Sequence, residues 1–536
     1  MTDSPIAFPR RELALVLLAA LAARLLLLIS GSVSFHADEA LIGLMARHIL
    51  QGERPVFFYG QAYMGSLDAW AVALGFRLLG ESVLTLRLVQ SVLYLLAVAL
   101  GFGAAWQLSR RRGVAWVTGL LLAFPTVNAA LYTTATLGGY NEILILGSAM
   151  LWLGHSALFD APHNGRGARL RWLLLGLAAG LGWWTSGLIV VYALPLALLI
   201  LREAWRGRVW WPGIGVALVG FTLGSAPWWL FDLTHNGAAL STYFRSRQSG
   251  LYAGIGITDV PPLERLLGLL VLGIPALVGM RFPWADSFFL PVVGLLVIGL
   301  YGLALLRLRR QNPLRPGGRL LVAGMPALFM LVFVASTFGA DPSGRYFLPL
   351  MLPLGILIGT LVESLRTQVN RWRWSALLPL LLVLAYQGAG QLAAARGAVG
   401  FTTQFDPISH LPNESDSALM DFLDAHDLHN GYTNYWIAFR LAFLSGERLQ
   451  YRAVLPYKAD LSYNPADDRY PPYAAATDQA ARVAFITSNL PELDARLVAW
   501  FAAQDLRYSE DTLGPYRIYY DFSARPAFET GAILSP

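Results

Sequence analysis

The chain has no cysteine, and lysine occurs once, at Lys458. Disulfides, thiolate metal centres and cysteine nucleophiles are therefore excluded. Charge is scarce as well. Only 14% of the 536 residues are Asp, Glu, Lys or Arg, while 56% are hydrophobic; a soluble domain carries about 25% charged residues. This balance excludes a disordered chain, argues against an ordinary cytosolic enzyme, and leaves a polytopic membrane protein as the expected class. The charge is also uneven. Up to residue 395 there are 29 Arg against 16 acids, a net +13; from 396 onward 11 basic residues face 18 acids, a net −7, which returns the overall +6. A basic, apolar part is joined to an acidic, water-compatible part. Arginine in such a chain anchors a cytoplasmic membrane face and gives no reason to expect nucleic acid as a partner.

A helix needs about 20 apolar residues to cross a bilayer core. Segments of this kind lie at roughly 12–33, 84–107, 113–130, 141–159, 171–185, 186–201, 209–231, 286–306, 319–339, 345–365 and 373–395. The first is too long for a signal peptide and is followed by others, so it is expected to stay. Arginine clusters follow Arg10/Arg11, Arg110–Arg112, Arg166/Arg169/Arg171, Arg202/Arg206/Arg208, Arg307–Arg319 and Arg366–Arg373. With all of them inside, the chain crosses twice between consecutive clusters. Residues 171–201 must then be two short helices broken near Thr185-Ser186-Gly187. The apolar stretch 263–281, with Pro275 inside it, must be broken, re-entrant or interfacial.

The expected architecture is thus a polytopic α-helical membrane protein of about 11 spans. Its N-terminus lies inside, and residues 1–395 form the membrane domain with outer loops 34–83 and 232–285. Residues 396–536 form a small extracytoplasmic α/β domain. In it, 415–426 and 492–503 read as amphipathic helices, and 448–454, 482–488 and 514–521 as strands.

The chemistry-bearing residues collect on the outer side. Asp38 and Glu39 follow span one directly, at the start of a helix whose Leu41, Leu44, Met45, His48 and Ile49 fall at helical spacing. That pattern predicts a short helix lying along the membrane interface, its acids favoured by the helix dipole. Asp68 follows the YGQAYMGS turn, Glu142 starts span four after LGGYN, and Asp341 and Arg345 open span ten in DPSGRYFLPL. Charged groups where helices leave the bilayer mark cavities with a function.

The Asp38-Glu39 pair after span one, the YGQAYMGSLDAW turn, LGGYNE before span four and RYFLP at a late outer helix start together resemble the GT-C superfamily of membrane glycosyltransferases. The bacterial family 39 type is the nearest pattern, related to protein O-mannosyltransferases and the lipid A aminoarabinose transferase. The eukaryotic mannosyltransferases have a large central-loop domain that is missing here, and the extra domain is C-terminal. The resemblance implies transfer of a sugar from a polyprenyl-phosphate carrier to a lipid, glycan or protein acceptor at the outer face of the plasma (inner) membrane. It implies Asp38 as the base with Glu39 beside it, and Arg345 with Tyr346 as donors to the leaving phosphate. Substrate contacts would come from Glu142, Tyr59, Gln61, Tyr63 and Asp341. Some relatives use a divalent metal and others none, so metal use stays open; His36-x-Asp38 alone is a poor metal motif.

Other features have structural readings. Arg24, in the middle of span one, must pair inside the bundle or face a cavity. Arg245, Arg247 and Arg265 break the charge pattern, as solvated loop charges or as partners of a lipid phosphate. The Trp pairs at 183–184, 210–211 and 228–229 read as interface anchors. Two other functional classes compete. A lipid or glycan transporter or flippase predicts ionisable groups near the midplane and inverted repeats; here the acids crowd one outer surface and no repeat is seen. A membrane-anchored binding protein would use only its acidic outer domain.

Overall fold

The computed structural model describes residues 7–160, 165–207, 210–245, 260–285, 287–341, 343–368 and 373–528. The chain opens with α1 (Arg10–Ile29), α2 (Ala37–Gln51), the hairpin β1 (Phe57–Phe58) and β2 (Gln61–Gly65), then α3 (Leu67–Leu79) and α4 (Val83–Ser109). The short α5 (Arg112–Ala123) and α6 (Val127–Tyr132) follow, then α7 (Tyr140–Phe159), α8 (Arg166–Thr185), α9 (Val190–Arg206), α10 (Trp211–Thr234) and α11 (Ala238–Arg245). Next come α12 (Pro262–Gly268) and α13 (Ile274–Val278), joined by a π-helical turn, then α14 (Pro291–Arg310), α15 (Gly318–Ala335), α16 (Met351–Gln368) and α17 (Leu378–Arg396). Among the described residues nine helices are long and apolar enough to cross a membrane.

Two of the eleven expected spans have another form. Residues 113–130 are the twelve-residue α5 and the six-residue α6, separated where Pro125 withholds its N–H. The span expected at 171–185 is the end of α8, which is twenty residues long but opens with Arg166, Arg169 and Arg171. The break between α8 and α9 falls at Ser186, whose hydroxyl accepts from Leu188 N–H and starts a new turn. Residues 262–278 are segmented, as Pro275 suggested.

The helices pack by recognisable rules. Gly176 and Gly180 of α8 face Gly220 and Gly224 of α10, each pair four residues apart. A Cβ on Gly176 would lie 1.9 Å from the Ala217 carbonyl oxygen, and one on Gly220 2.3 Å from that of Leu173. Small residues at this spacing let backbones touch where lipid gives no hydrophobic drive. Arg24 is buried and satisfied inside the bundle. It donates to Ala130 O and to the hydroxyls of Thr133 and Thr134, and lies 3.8 Å over the Tyr94 ring.

The two ends of the bundle differ. At the start of α1, Glu12 lies 3.6 Å from Arg112; near it Arg110 and Arg315 share Asp160, and Arg111 pairs with Glu363. At the other end of α1, about 30 Å away by helical rise, Ser32 and Ser34 exchange backbone bonds of 2.7 and 3.0 Å with Phe401, just beyond α17. The chain after α17 therefore starts at the end opposite these arginines.

There α18 (Asp416–Ala425), α19 (Tyr435–Leu444), α20 (Pro471–Gln479) and α21 (Pro491–Ala503) surround β3 (Asn430–Thr433), β4 (Gln450–Ala453), β5 (Ala484–Ser488), β6 (Ser509–Leu513) and β7 (Tyr516–Tyr520). The sheet order is β4-β3-β5-β7-β6, parallel on the β4-β3-β5 side and antiparallel on the other. The three expected strands and two helices are present; β3, β6, α19 and α20 were not foreseen.

The helix α2 is buried on nearly every side. Its apolar residues join one core with α3, α18, α19 and the sheet. A Cβ on Gly43 would lie 2.4 Å from the Phe443 ring, so α19 sits directly against α2. The Trp pairs at 183–184 and 228–229 are not simple anchors. Trp228 is fully buried beside Trp183 and Phe57, and Trp184 donates its indole N–H to Val56 O at 2.8 Å, so both pairs hold the β1–β2 hairpin. Arg265 is buried, donates to Ser336 O at 3.0 Å, and is no solvated loop charge. Arg247 lies outside the described residues.

Candidate active site

Five separate stretches converge on one cavity of about 360 Å³. Its walls come from Asp38 at the start of α2, from Phe58, Gln61, Tyr63 and Met64 of the hairpin, from Tyr132, Leu137 and Tyr140 before and at the start of α7, from Asp341 and Arg345, and from the C-terminal region.

Each stretch is positioned by an identifiable local cause. The hairpin is held by Gly65, where a Cβ would lie 2.3 Å from the Trp184 carbonyl oxygen. The Gly138-Gly139 pair has φ of 95° and 81°, backbone that a side chain would strain, and both N–H groups point at Asp68 Oδ2 at 3.3 Å. Asp68 is itself buried; burial pushes its carboxyl up to about 6, against the bonds from Gly139, Gln90 and Gly138. It thus anchors the loop that presents Tyr140 and does not line the cavity.

Asp38 Oδ1 accepts from the Tyr435 hydroxyl at 2.5 Å. Arg345 lines the same cavity, ion-paired to Asp341 at 2.6 Å. With its amide turned to suit its neighbours, Gln61 accepts two bonds of 3.1 Å from the Arg469 guanidinium and donates to Tyr63 at 3.2 Å. Asp38, Arg345, Asp341, Gln61 and Tyr63 are therefore brought together.

Four other expected residues are not. Glu39 is fully buried and turned away, taking a bidentate pair from Arg87 at 3.0 Å on both oxygens. One residue along a helix rotates the side chain about 100°, so adjacent acids cannot share a face. Tyr59 donates to Glu53 at 2.6 Å, contacts His48 at 2.9 Å and stacks on Tyr470, outside the cavity. Glu142 is buried beside Asp68, and neither carboxylate oxygen has a hydrogen-bond partner among the described residues. Tyr346 lines a separate apolar cavity of about 260 Å³, with Trp183, Leu188, Phe329 and Phe333. His36 is buried against Trp436, its ring pKa lowered by burial. Among the described residues no three His, Asp or Glu side chains group as a metal site, so His36 and Asp38 do not fit one.

Sequence reasoning did not name Phe58, Met64, Tyr132, Leu137 and Tyr140, which lie in or beside the motif stretches, nor the wall supplied by the C-terminal region: Tyr435, Trp436, Tyr457, Asp467 and Arg469, with Thr403 and Phe405 before them. Arg469 lies 4.7 Å over the Tyr435 ring and 5.4 Å over that of Phe58. No motif marks the C-terminal residues; an aromatic-rich YNPADDRYPPY stretch was the only available signal.

No family model matches the sequence. Among curated proteins, undecaprenyl phosphate-α-4-amino-4-deoxy-L-arabinose arabinosyl transferase 1 of Pseudomonas fluorescens is 30% identical over 309 residues, 56% of this chain and 50% of the relative. The Pseudomonas aeruginosa PAO1 transferase of the same description is 26% identical over 367 residues, 67% of this chain and 61% of the relative. The chain spans about half the length of the first of these relatives. Among solved structures, ArnT from Cupriavidus metallidurans bound to undecaprenyl phosphate superposes with a TM-score of 0.60 at 15% identity, covering 99% of this chain and 100% of that one. The oligosaccharyltransferase AglB from Archaeoglobus fulgidus, in complex with an inhibitory peptide and a dolichol-phosphate, gives 0.51 at 12% identity over 96% and 74%. Nothing among these relatives and neighbours supports the transporter alternative. The resemblance read from the motifs is borne out at the level these likenesses carry: this is a multi-pass membrane protein with the GT-C fold and a small sheet domain toward its C-terminus.

Proposed function

We propose that this protein is an inverting glycosyltransferase. It moves a sugar from a polyprenyl-phosphate donor to a lipid, glycan or protein acceptor at the extracytoplasmic face, with its N-terminus in the cytoplasm and residues 396–536 outside. The observation that carries this reading is that Asp38 and Arg345, 307 positions apart in sequence, line one cavity. The apolar cavity next to it begins at Tyr346, one residue from Arg345, and has the lining an isoprenoid tail requires. The relatives' printed substrate, an undecaprenyl phosphate sugar, has this make-up of charged head and apolar tail.

The chemistry follows from these two groups, Asp38 and Arg345. An acceptor hydroxyl attacks the anomeric carbon as the bond from that carbon to the phosphate oxygen breaks. The hydroxyl proton passes to the Asp38 carboxylate, which Tyr435 holds in place. Positive charge developing on the sugar is favoured by the same carboxylate. The departing phosphate gains charge beside Arg345, whose guanidinium trades its pairing with Asp341 for charge-assisted bonds to the phosphate. Attack opposite the leaving group inverts the anomeric centre.

The test is Asp38→Asn in purified, reconstituted protein. The expected result is a normal melting temperature and loss of transfer on the order of 10²–10⁴-fold, as for removal of a general base. Transfer at the parental rate removes Asp38 from the chemistry.

A further inference from the structure

Asp467 is 5% exposed yet lines the cavity, and the mechanism above does not use it. Its carboxylate has light company: the Tyr457 hydroxyl and a long 3.4 Å bond from Asn464 Nδ2. A turn in which Arg469 N–H donates to Asp467 O at 3.0 Å fixes it beside the Arg469 guanidinium. Burial pushes the carboxyl up to about 6, with Arg469, Tyr457 and Lys458 opposing and Asp38 adding to the rise. Trp436 lines the same cavity, its ring edge-on to Tyr457 at 5.9 Å, and its buried indole N–H has no hydrogen-bond partner among the described residues. A buried donor without a partner is costly unless a ligand supplies one.

An aromatic ring and a lightly bonded carboxylate lining one cavity, with a buried indole N–H beside them, suit a pyranose. The ring takes its apolar C–H face, and the polar groups take its hydroxyls. We propose that Asp467 and Trp436 form the sugar-ring subsite. The C-terminal domain then recognises the carbohydrate, while the membrane domain holds the phosphate at Arg345. Arg469 acts as a positioning residue, bridging Gln61 of the hairpin to the Tyr435 ring. This inference rests on the glycosyltransferase reading.

The experiment uses full-length protein in nanodiscs. Saturation-transfer NMR with methyl α-D-mannopyranoside and methyl β-L-arabinopyranoside reads ring contact, and a separate titration reads undecaprenyl phosphate binding. The expected result is saturation of at least one glycoside by the parent, weakened tenfold or more in Asp467→Asn and in Trp436→Phe, both melting normally. Undecaprenyl phosphate affinity changes less than twofold in both variants and falls tenfold or more in Arg345→Ala. Undiminished sugar contact in both variants, or no sugar contact in a parent that binds undecaprenyl phosphate, overturns the subsite and leaves the donor reading standing. A parent that binds no undecaprenyl phosphate overturns both. Equal loss of both ligands in Asp467→Asn also overturns the division of labour.

Discussion

The Tyr435 hydroxyl donates to Asp38 Oδ1 at 2.5 Å, joining residues 397 positions apart. Asp38 leaves the membrane domain directly after span one, and Tyr435 opens α19 beyond the last span. Neither half of the chain builds the carboxylate's surroundings alone.

The neighbouring acids should separate by phenotype. Glu39 is fully buried against Arg87, and breaking a buried pair by removing one partner costs about 3–5 kcal/mol. Glu39→Gln is therefore expected to lower the melting temperature and the yield of folded protein, whereas Asp38→Asn leaves both intact. Thermal melts in one detergent check this; equal stability of the two variants contradicts the assigned orientations.

Loss of the guanidinium at Arg345 should appear mainly in donor use. A charge-assisted bond is worth roughly 1.5–3 kcal/mol, about one to two decades in KM or in the rate of phosphate departure. Arg345→Ala is expected to show that loss and Arg345→Lys a smaller one, because lysine keeps the charge but not the fork. Steady-state kinetics against donor concentration measure it; unchanged kinetics take Arg345 out of the site.

The joint between the outer segment and the C-terminal domain should be acid-sensitive. Burial alone would raise the Glu447 carboxyl. Bonds from His48 at 2.8 Å and Tyr473 at 2.7 Å, with Arg47 at 3.1 Å, outweigh it and hold the group down to about 2. Its folded value is thus below the ordinary 4.5. The stabilisation is fully present above pH 4.5 and drains away as pH falls toward 2. Glu447→Gln should cost roughly 1–3 kcal/mol at pH 7, with the gap to the parent closing between those limits. Melts across the pH range test the sign; a gap that widens on acidification refutes it.

Gly65→Ala probes the hairpin. Its Cβ meets a backbone carbonyl, which cannot step aside as a side chain does. We expect roughly 1–3 kcal/mol of destabilisation and a raised KM, since Gln61 and Tyr63 ride on the same strand. A variant with parental stability and KM shows that the strand can shift freely.

Much of the membrane part was legible because the bilayer imposes a length and a polarity on each helix. Long apolar runs fall where expected, and Ser186 and Pro275 mark breaks because backbone groups there must find new partners. That Asp38 and Arg345 line one cavity accords with their place in motifs at helix starts. Glu39, Tyr59, Tyr346 and Glu142 do not line that cavity, because proximity in sequence does not fix which way a side chain turns. Asp38 and Glu39 differ by one helical step, and that step separates the cavity from a buried ion pair.

What the sequence determined by itself, then, is the membrane class, the charge division between the two parts, and the side on which reactive groups gather. These follow from local composition, which each segment carries wherever it packs. Only the tertiary structure decided that α19 and the 457–469 stretch close over α2, supplying Tyr435, Trp436, Asp467 and Arg469. That contact depends on complementary shapes such as Gly43 under Phe443, and shape complementarity between distant segments exists only after both have folded.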